Sequence, residues 1–169
     1  MKTDSPPEYW LRGPVYDVPA LLQPVAHALL QAKDEIHDMM GDFPDRLLWE
    51  RPAGVASAGF HLRHMAGVLD RLFTYAKGEA LSSRQLAYLA EEGNPQEDIT
   101  VAFLLDVLDA QIAKSLDQLT ATDSQTLTHS RTVGRLQLPS TVMGLLFHAA
   151  EHTMRHTGQL LVTTRVVLY

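Results

Sequence analysis

The run VAFLLDVLDAQIAKSLDQL, residues 101–119, decides the fold class. Val101, Leu104, Leu105, Leu108, Ile112, Leu116 and Leu119 recur at spacings of three and four, one apolar stripe of a helix that starts near Asp98. The same period returns upstream. Asp17 and Pro19 give a helix start, Leu22, Val25, Leu29, Ala32, Ile36 and Met39 form its stripe, and Gly41 and Pro44 end it. Ser57 is a candidate cap for the next helix. Its stripe reads Phe60 or His61, His64 or Met65, Val68, Leu72 and Tyr75, and Gly78 ends it. A short helical piece follows from Ser83 to Glu92, broken by Gly93-Asn94-Pro95.

Downstream, Gln118 to Arg135 is polar and reads as a loop, with a short extended piece expected at Arg135 to Leu138. Pro139-Ser140 opens the last helix, with Ser140 as its candidate cap and Met143, Leu146, Phe147 and Ala150 on its stripe. It should run to about Arg165, and its β-branched end, Val162 to Val167, is expected to fray or turn extended. Four long amphipathic helices bury their stripes best as a bundle. The expectation is therefore an all-α four-helix bundle, with connections at 41–56 and 119–139 long enough to cross it end to end. Residues 19–169 form the single domain. Residues 1–18, with Pro6, Pro7, Gly13 and Pro14, read as an irregular arm whose Tyr9-Trp10-Leu11 docks on the body.

Composition narrows the function. The 169 residues are 46% hydrophobic and 20% charged, an ordinary globular balance. A chain of this length buries roughly two thirds of its unfolded surface and needs no covalent staples. Cys 0 excludes disulfides, thiolate metal sites and a cysteine nucleophile. The net charge of -6, with Lys and Arg scattered, disfavours DNA and RNA, whose binding needs a basic surface. No apolar run reads as a signal peptide or a membrane span, so the expectation is a cytoplasmic protein that engages no membrane.

The chain has 8 histidines, and five of them fall in two helical segments: His61 and His64, then His148, His152 and His156. Side chains at i and i+4 stack on one helix face, so two such imidazoles can reach one ion at about 2.0–2.1 Å. On the last helix the pair is either His148 with His152 or His152 with His156, because His148 and His156 point about 80° apart. His64, on the apolar side of its helix, is the natural third ligand. His61 and His148 then read as neighbours that hydrogen-bond the ligands or sit on the helix surface. Three imidazoles leave a metal position open, the pattern of a reactive site. His148-Ala149-Ala150-Glu151-His152 also matches the H-x-x-E-H pattern of inverted zinc peptidases. Glu151 lies about 100° round the helix from His152, and the stretch on to Tyr169 is short for the further carboxylate ligand of those enzymes. The peptidase reading is not favoured.

Two segments carry a family resemblance. His152-Thr153-Met154-Arg155-His156-Thr157-Gly158-Gln159-Leu160 is similar to the H-x-x-x-H-x-G-Q-[LI] segment of the DinB-like (YfiT-like) superfamily of metal-binding four-helix bundles. His64-Met65-Ala66 is similar to its H-[LM]-A segment, and the helices come in the same order, so the likeness spans residues 19–166. It implies His64, His152 and His156 as the triad, holding one divalent ion: zinc first, with nickel, iron or manganese as alternatives. Where the family often carries a basic residue before Gly-Gln, this chain has Thr157, with Arg155 two places earlier.

Characterised relatives include transferases and isomerases that work with bacillithiol, mycothiol or glutathione. The resemblance thus implies a metal-dependent thiol transferase or hydrolase, with a small-molecule thiol and an electrophile as partners. The other expectation is a non-catalytic metal- or ligand-binding module of a stress response. Arg63, Arg155 and Trp10 are the candidates for orienting a substrate. A homodimer is implied, using spare apolar residues of the first and third helices.

Overall fold

The computed structural model describes residues 6–96 and 98–169; residues 1–5 of the expected arm lie outside them. Five helices carry the fold. They are α1 (Gln23–Met40), α2 (Ala58–Ala76), the short α3 (Ser83–Glu91), α4 (Val101–Thr120) and α5 (Val142–Leu168). A hairpin of β1 (Ser130–Val133) and β2 (Leu138–Thr141) pairs antiparallel between α4 and α5, with Ser130 opposite Thr141 and Val133 opposite Leu138.

The four long helices make one bundle around Leu29, Ile36, Leu62, Leu69, Leu108 and Leu146, among other fully buried side chains. α1 packs on α4 and α5, and so does α2. The consecutive pairs α1/α2 and α4/α5 therefore stand diagonally. Each of the two long connections passes from one corner of the bundle to the opposite one. α3 lies along α2. Its cap is a reciprocal pair, in which the Ser82 hydroxyl accepts from the Gln85 backbone and the Gln85 side chain accepts from the Ser82 backbone. The arm runs against α1: the Tyr9 backbone donates to Gln31 (3.1 Å), and the Gln23 side-chain amide bonds Val15 and Val18. No helix among the described residues is long and apolar enough to cross a membrane.

Several local expectations change. The buried stripe of α2 is Leu62, Met65, Leu69, Phe73 and Ala76, while Leu72 and Tyr75 are half-buried. Both stripes have helical spacing, and α2 touches α3, α4 and α5, so its sequence has no single polar face to mark the core. The last helix is capped by Thr141, whose hydroxyl accepts from the Gly144 backbone (3.0 Å), not by Ser140. Pro139 and Ser140 instead lie within β2. Arg135 to Gln137 form the turn of the hairpin rather than an extended piece, and Gly134 (φ 68) and Gln137 (φ 51) take its left-handed positions. The run Val162 to Val167 stays helical, with Thr163 and Thr164 buried against the body. α1 exposes no large apolar side chain, and α4 exposes only Phe103. The exposed apolar residues cluster instead on the C-terminal half of α5, at Leu161, Val162, Val166 and Leu168.

Candidate metal centre

The α2–α5 seam is where the histidines meet. α5 buries small or hydroxyl-bearing residues, Ala149, Ala150, Thr153 and Thr157, and Thr157 reaches the Met65 sulfur of α2 (3.8 Å). Thr153 donates to the Ala149 carbonyl (2.8 Å) and Thr157 to the Thr153 carbonyl (2.9 Å), so neither hydroxyl is left unpaired. These short side chains let the helices approach, and the longer His152 and His156 stand at the edge of the contact. His64 meets them from α2. Its Nε2 lies 3.0 Å from Nε2 of His152, and its ring centroid is 4.6 Å from that of His156, as is the centroid of His152. One nitrogen from each of His64, His152 and His156 lies within 4.8 Å of the others.

The residues fit a divalent ion. Two nitrogens each about 2.0–2.1 Å from one ion, at a near-tetrahedral angle, lie about 3.3 Å apart, close to the spacing of His64 and His152. Nδ1 of His152 is buried without a hydrogen-bond partner, so protein atoms alone do not complete the polar inventory of the cluster. Three imidazoles suit zinc, nickel or iron and do not choose among them. Phe60 stacks on His64 with centroids 5.1 Å apart, walling one side.

Two further groups hold the ring orientations. Nδ1 of His64 contacts Oε2 of Glu92 at 2.8 Å, and Arg71 donates to the other oxygen of that buried carboxylate. Nδ1 of His61 lies 2.9 Å from Nδ1 of His156, which leaves Nε2 of His156 for an ion. Burial, then repulsion from His64, lowers the pKa of His61 to about 4. Burial and His64, with smaller contributions from His148 and Arg155, lower His152 to about 4. Burial, His64 and His152 lower His156 to about 3. These three rings are neutral at neutral pH, the form in which imidazole binds metal.

Acid should therefore weaken the metal-free fold. Unfolded histidine takes up its proton near pH 6.5. Between about 6.5 and 4 the unfolded chain binds more protons than the folded one, so the stability from these rings is complete above 6.5 and is lost as pH falls through that window. Urea unfolding of metal-free protein should show a lower midpoint at pH 5 than at pH 7. An unchanged midpoint contradicts the assignment.

Other candidate residues are placed elsewhere. Arg63 is buried and turned from the triad; it donates to the Asn94 carbonyl (2.9 Å) between the rings of Trp49 and Tyr88. It precedes His64 by one position, about 100° of helix rotation, and so faces the loop after α3. Trp10 is 65% exposed on the arm and donates to Glu8 (2.7 Å), because that segment docks along α1 rather than at the α2–α5 seam. Arg63, so placed, is not in position to orient a substrate at the triad. Arg155 is exposed and paired with Glu151. With His61, Val55, Ala56, Gln159 and Val162 it lines an apolar groove of about 490 Å³ beside the cluster. His148 is half-exposed, its Nδ1 3.4 Å from Glu151. His148, Glu151 and His152 also come within reach of one another, the H-x-x-E-H residues. However, Glu151 is committed to Arg155, and Nε2 of His152 is turned to His64. Glu92 has no counterpart in the sequence reading. It stands alone at the end of a short helix, 28 residues from its partner, and no spacing rule joins the two.

Comparison with known proteins agrees with this architecture. No protein of curated function matches the sequence significantly. A solved structure from Enterococcus faecalis, described as a conserved protein, superposes with a TM-score of 0.70 at 19% identity, covering 88% of this chain and 97% of that one. That likeness is one of fold. A family model described as the DinB superfamily matches residues 22–160, a span that takes in α1, α2, α4, α5 as far as Leu160, and every histidine of the cluster, and the chain thus belongs to the DinB superfamily.

Proposed function

We propose that this protein is a metal-dependent transferase that joins a small-molecule thiol to an electrophile. The observation that carries the reading is the convergence of His64, His152 and His156 beside an open groove. These three residues would hold one divalent ion, zinc first among the candidates. When bound, such an ion lowers the pKa of a thiol or a water and so supplies a nucleophile at neutral pH. The thiol itself comes from the family resemblance.

The chain's own residues do the rest. Phe60 covers His64 and limits water on that side. If His156 ligates through Nε2, its Nδ1 carries a proton and donates to Nδ1 of His61. His61 must then carry its own proton on Nε2, where it can donate to a molecule in the groove that it lines. Val55 and Val162 receive the apolar body of the electrophile, and Arg155, exposed at the edge, would exchange Glu151 for an anionic group of the thiol. In the transfer a carbon–sulfur bond forms, the leaving group departs with its electron pair, and the thiol proton passes to solvent. A homodimer, proposed on the family resemblance, would cover the exposed apolar residues of α5.

The test offers zinc-loaded protein an aryl halide with bacillithiol, mycothiol or glutathione in turn. An S-conjugate is expected with at least one thiol, lost in His64→Ala and after chelation. Tight zinc binding with no conjugate from any thiol and electrophile would favour the non-catalytic binding module instead.

A further inference from the structure

α3 is pegged to α2 at three successive points. Gln85 donates to the Thr74 hydroxyl (2.8 Å), Tyr88 donates to the Arg63 carbonyl (3.1 Å), and Glu92 meets both His64 and Arg71. The first two contacts are enough to dock a short helix. The third is of another kind, since it buries a carboxylate, 3% exposed, between the end of α3 and α2. Space for it exists because residue 67 is glycine. A Cβ there would stand 2.1 Å from Oε1 of Glu92, 2.7 Å from Arg71 and 2.8 Å from Tyr88. The backbone of Gly67 has an ordinary helical conformation, so the absent side chain, not backbone freedom, is what the position requires.

A carboxylate only accepts hydrogen bonds, so the His64 nitrogen that faces it must carry the proton. That leaves the lone pair on Nε2, the nitrogen 3.0 Å from His152. We propose that Glu92, anchored by Arg71 and seated over Gly67, is a positioning residue that fixes His64 in the tautomer able to bind a metal ion through Nε2 and so sets the affinity of the site. A hydrogen-bonded carboxylate also raises the basicity of a ligating imidazole, and losing such a partner typically weakens binding about 10–100-fold. The proposal rests on the metal-binding reading of the triad and adds a residue more than one turn of helix away from any ligand in sequence.

The experiment measures zinc affinity by competition with a chromophoric chelator, together with the imidazole nitrogen NMR signals of the full chain. In wild type without zinc, His64 should show the Nδ1–H tautomer. Glu92→Gln should weaken zinc binding about 10–100-fold, and Gly67→Ala should do so as well by displacing the carboxylate. A role confined to docking α3 would lower the melting temperature of the metal-free variants and leave the zinc affinity of the folded protein unchanged; that result overturns the proposal. So does an Nε2–H tautomer at His64 in wild type, which decides the matter even if the variants fail to fold. If wild type binds no zinc, the triad reading fails by itself, and the tautomer still tests Glu92 separately.

Discussion

Replacing His152 with alanine should abolish metal binding, the largest effect expected of any single change. His152 is the shared member of the cluster, 3.0 Å from His64 through Nε2 and 4.6 Å from His156 between centroids. Both pairs that the last helix can form include it. Its removal leaves two imidazoles on different helices, and the loss should exceed the roughly 10–100-fold cost of disturbing an outer partner. His156→Ala should lose the ion likewise. His148→Ala should keep it, because that ring is half-exposed and turned toward Glu151. Zinc affinity measured on the three variants checks this. Equal loss from His148→Ala and His156→Ala would mean a different ligand set, and full binding by His156→Ala would return attention to the H-x-x-E-H residues.

Leu146→Ala should be strongly destabilising. Leu146 is fully buried and lies on the face that α5 presents to the bundle core, less than two turns before His152. Truncating a buried leucine removes its transfer free energy and leaves a cavity that a packed core fills only in part, at a cost of about 2–5 kcal/mol. In a domain of this size that lowers the melting temperature by roughly 4–20 °C. Zinc affinity of the folded variant at 25 °C should stay within a few-fold of wild type, since Leu146 supplies no ligand atom to the histidine cluster. Calorimetry and the chelator competition separate the two quantities. A loss below about 1 kcal/mol would show that this face of α5 is not close-packed.

The bundle was legible because its stripes repeat over many turns: Leu104, Leu108, Ile112 and Leu119 of α4 are all buried, as are Val25, Leu29, Ala32 and Ile36 of α1. α2 was harder because it is packed on nearly every side, and two stripes there have equal periodicity. Helix ends depend on local competition. Ser140 and Thr141 are both good caps, and only the pairing of β2 with β1 decides that the strand continues through Thr141. The triad was legible in part. Spacing brings His152 and His156 to one face, and the resemblance chose between the pairs. Glu92 and the contact of His61 with His156 were not, because they depend on how α3 and α5 lie against α2. Arg63 shows the converse: proximity in sequence to His64 carries no proximity in space to the groove, because one helix position turns the side chain by about 100°.

The central claim is a single ion held by three imidazoles, and elemental mass spectrometry tests it most directly. Protein purified without a polyhistidine tag, since a nickel column can load nickel into such a site, is incubated with equimolar zinc, iron, manganese and nickel and then dialysed. One equivalent of metal per chain is the predicted result, falling to background in the His64→Ala/His152→Ala/His156→Ala variant. Less than a tenth of an equivalent in wild type, or an unchanged equivalent in the variant, would contradict it.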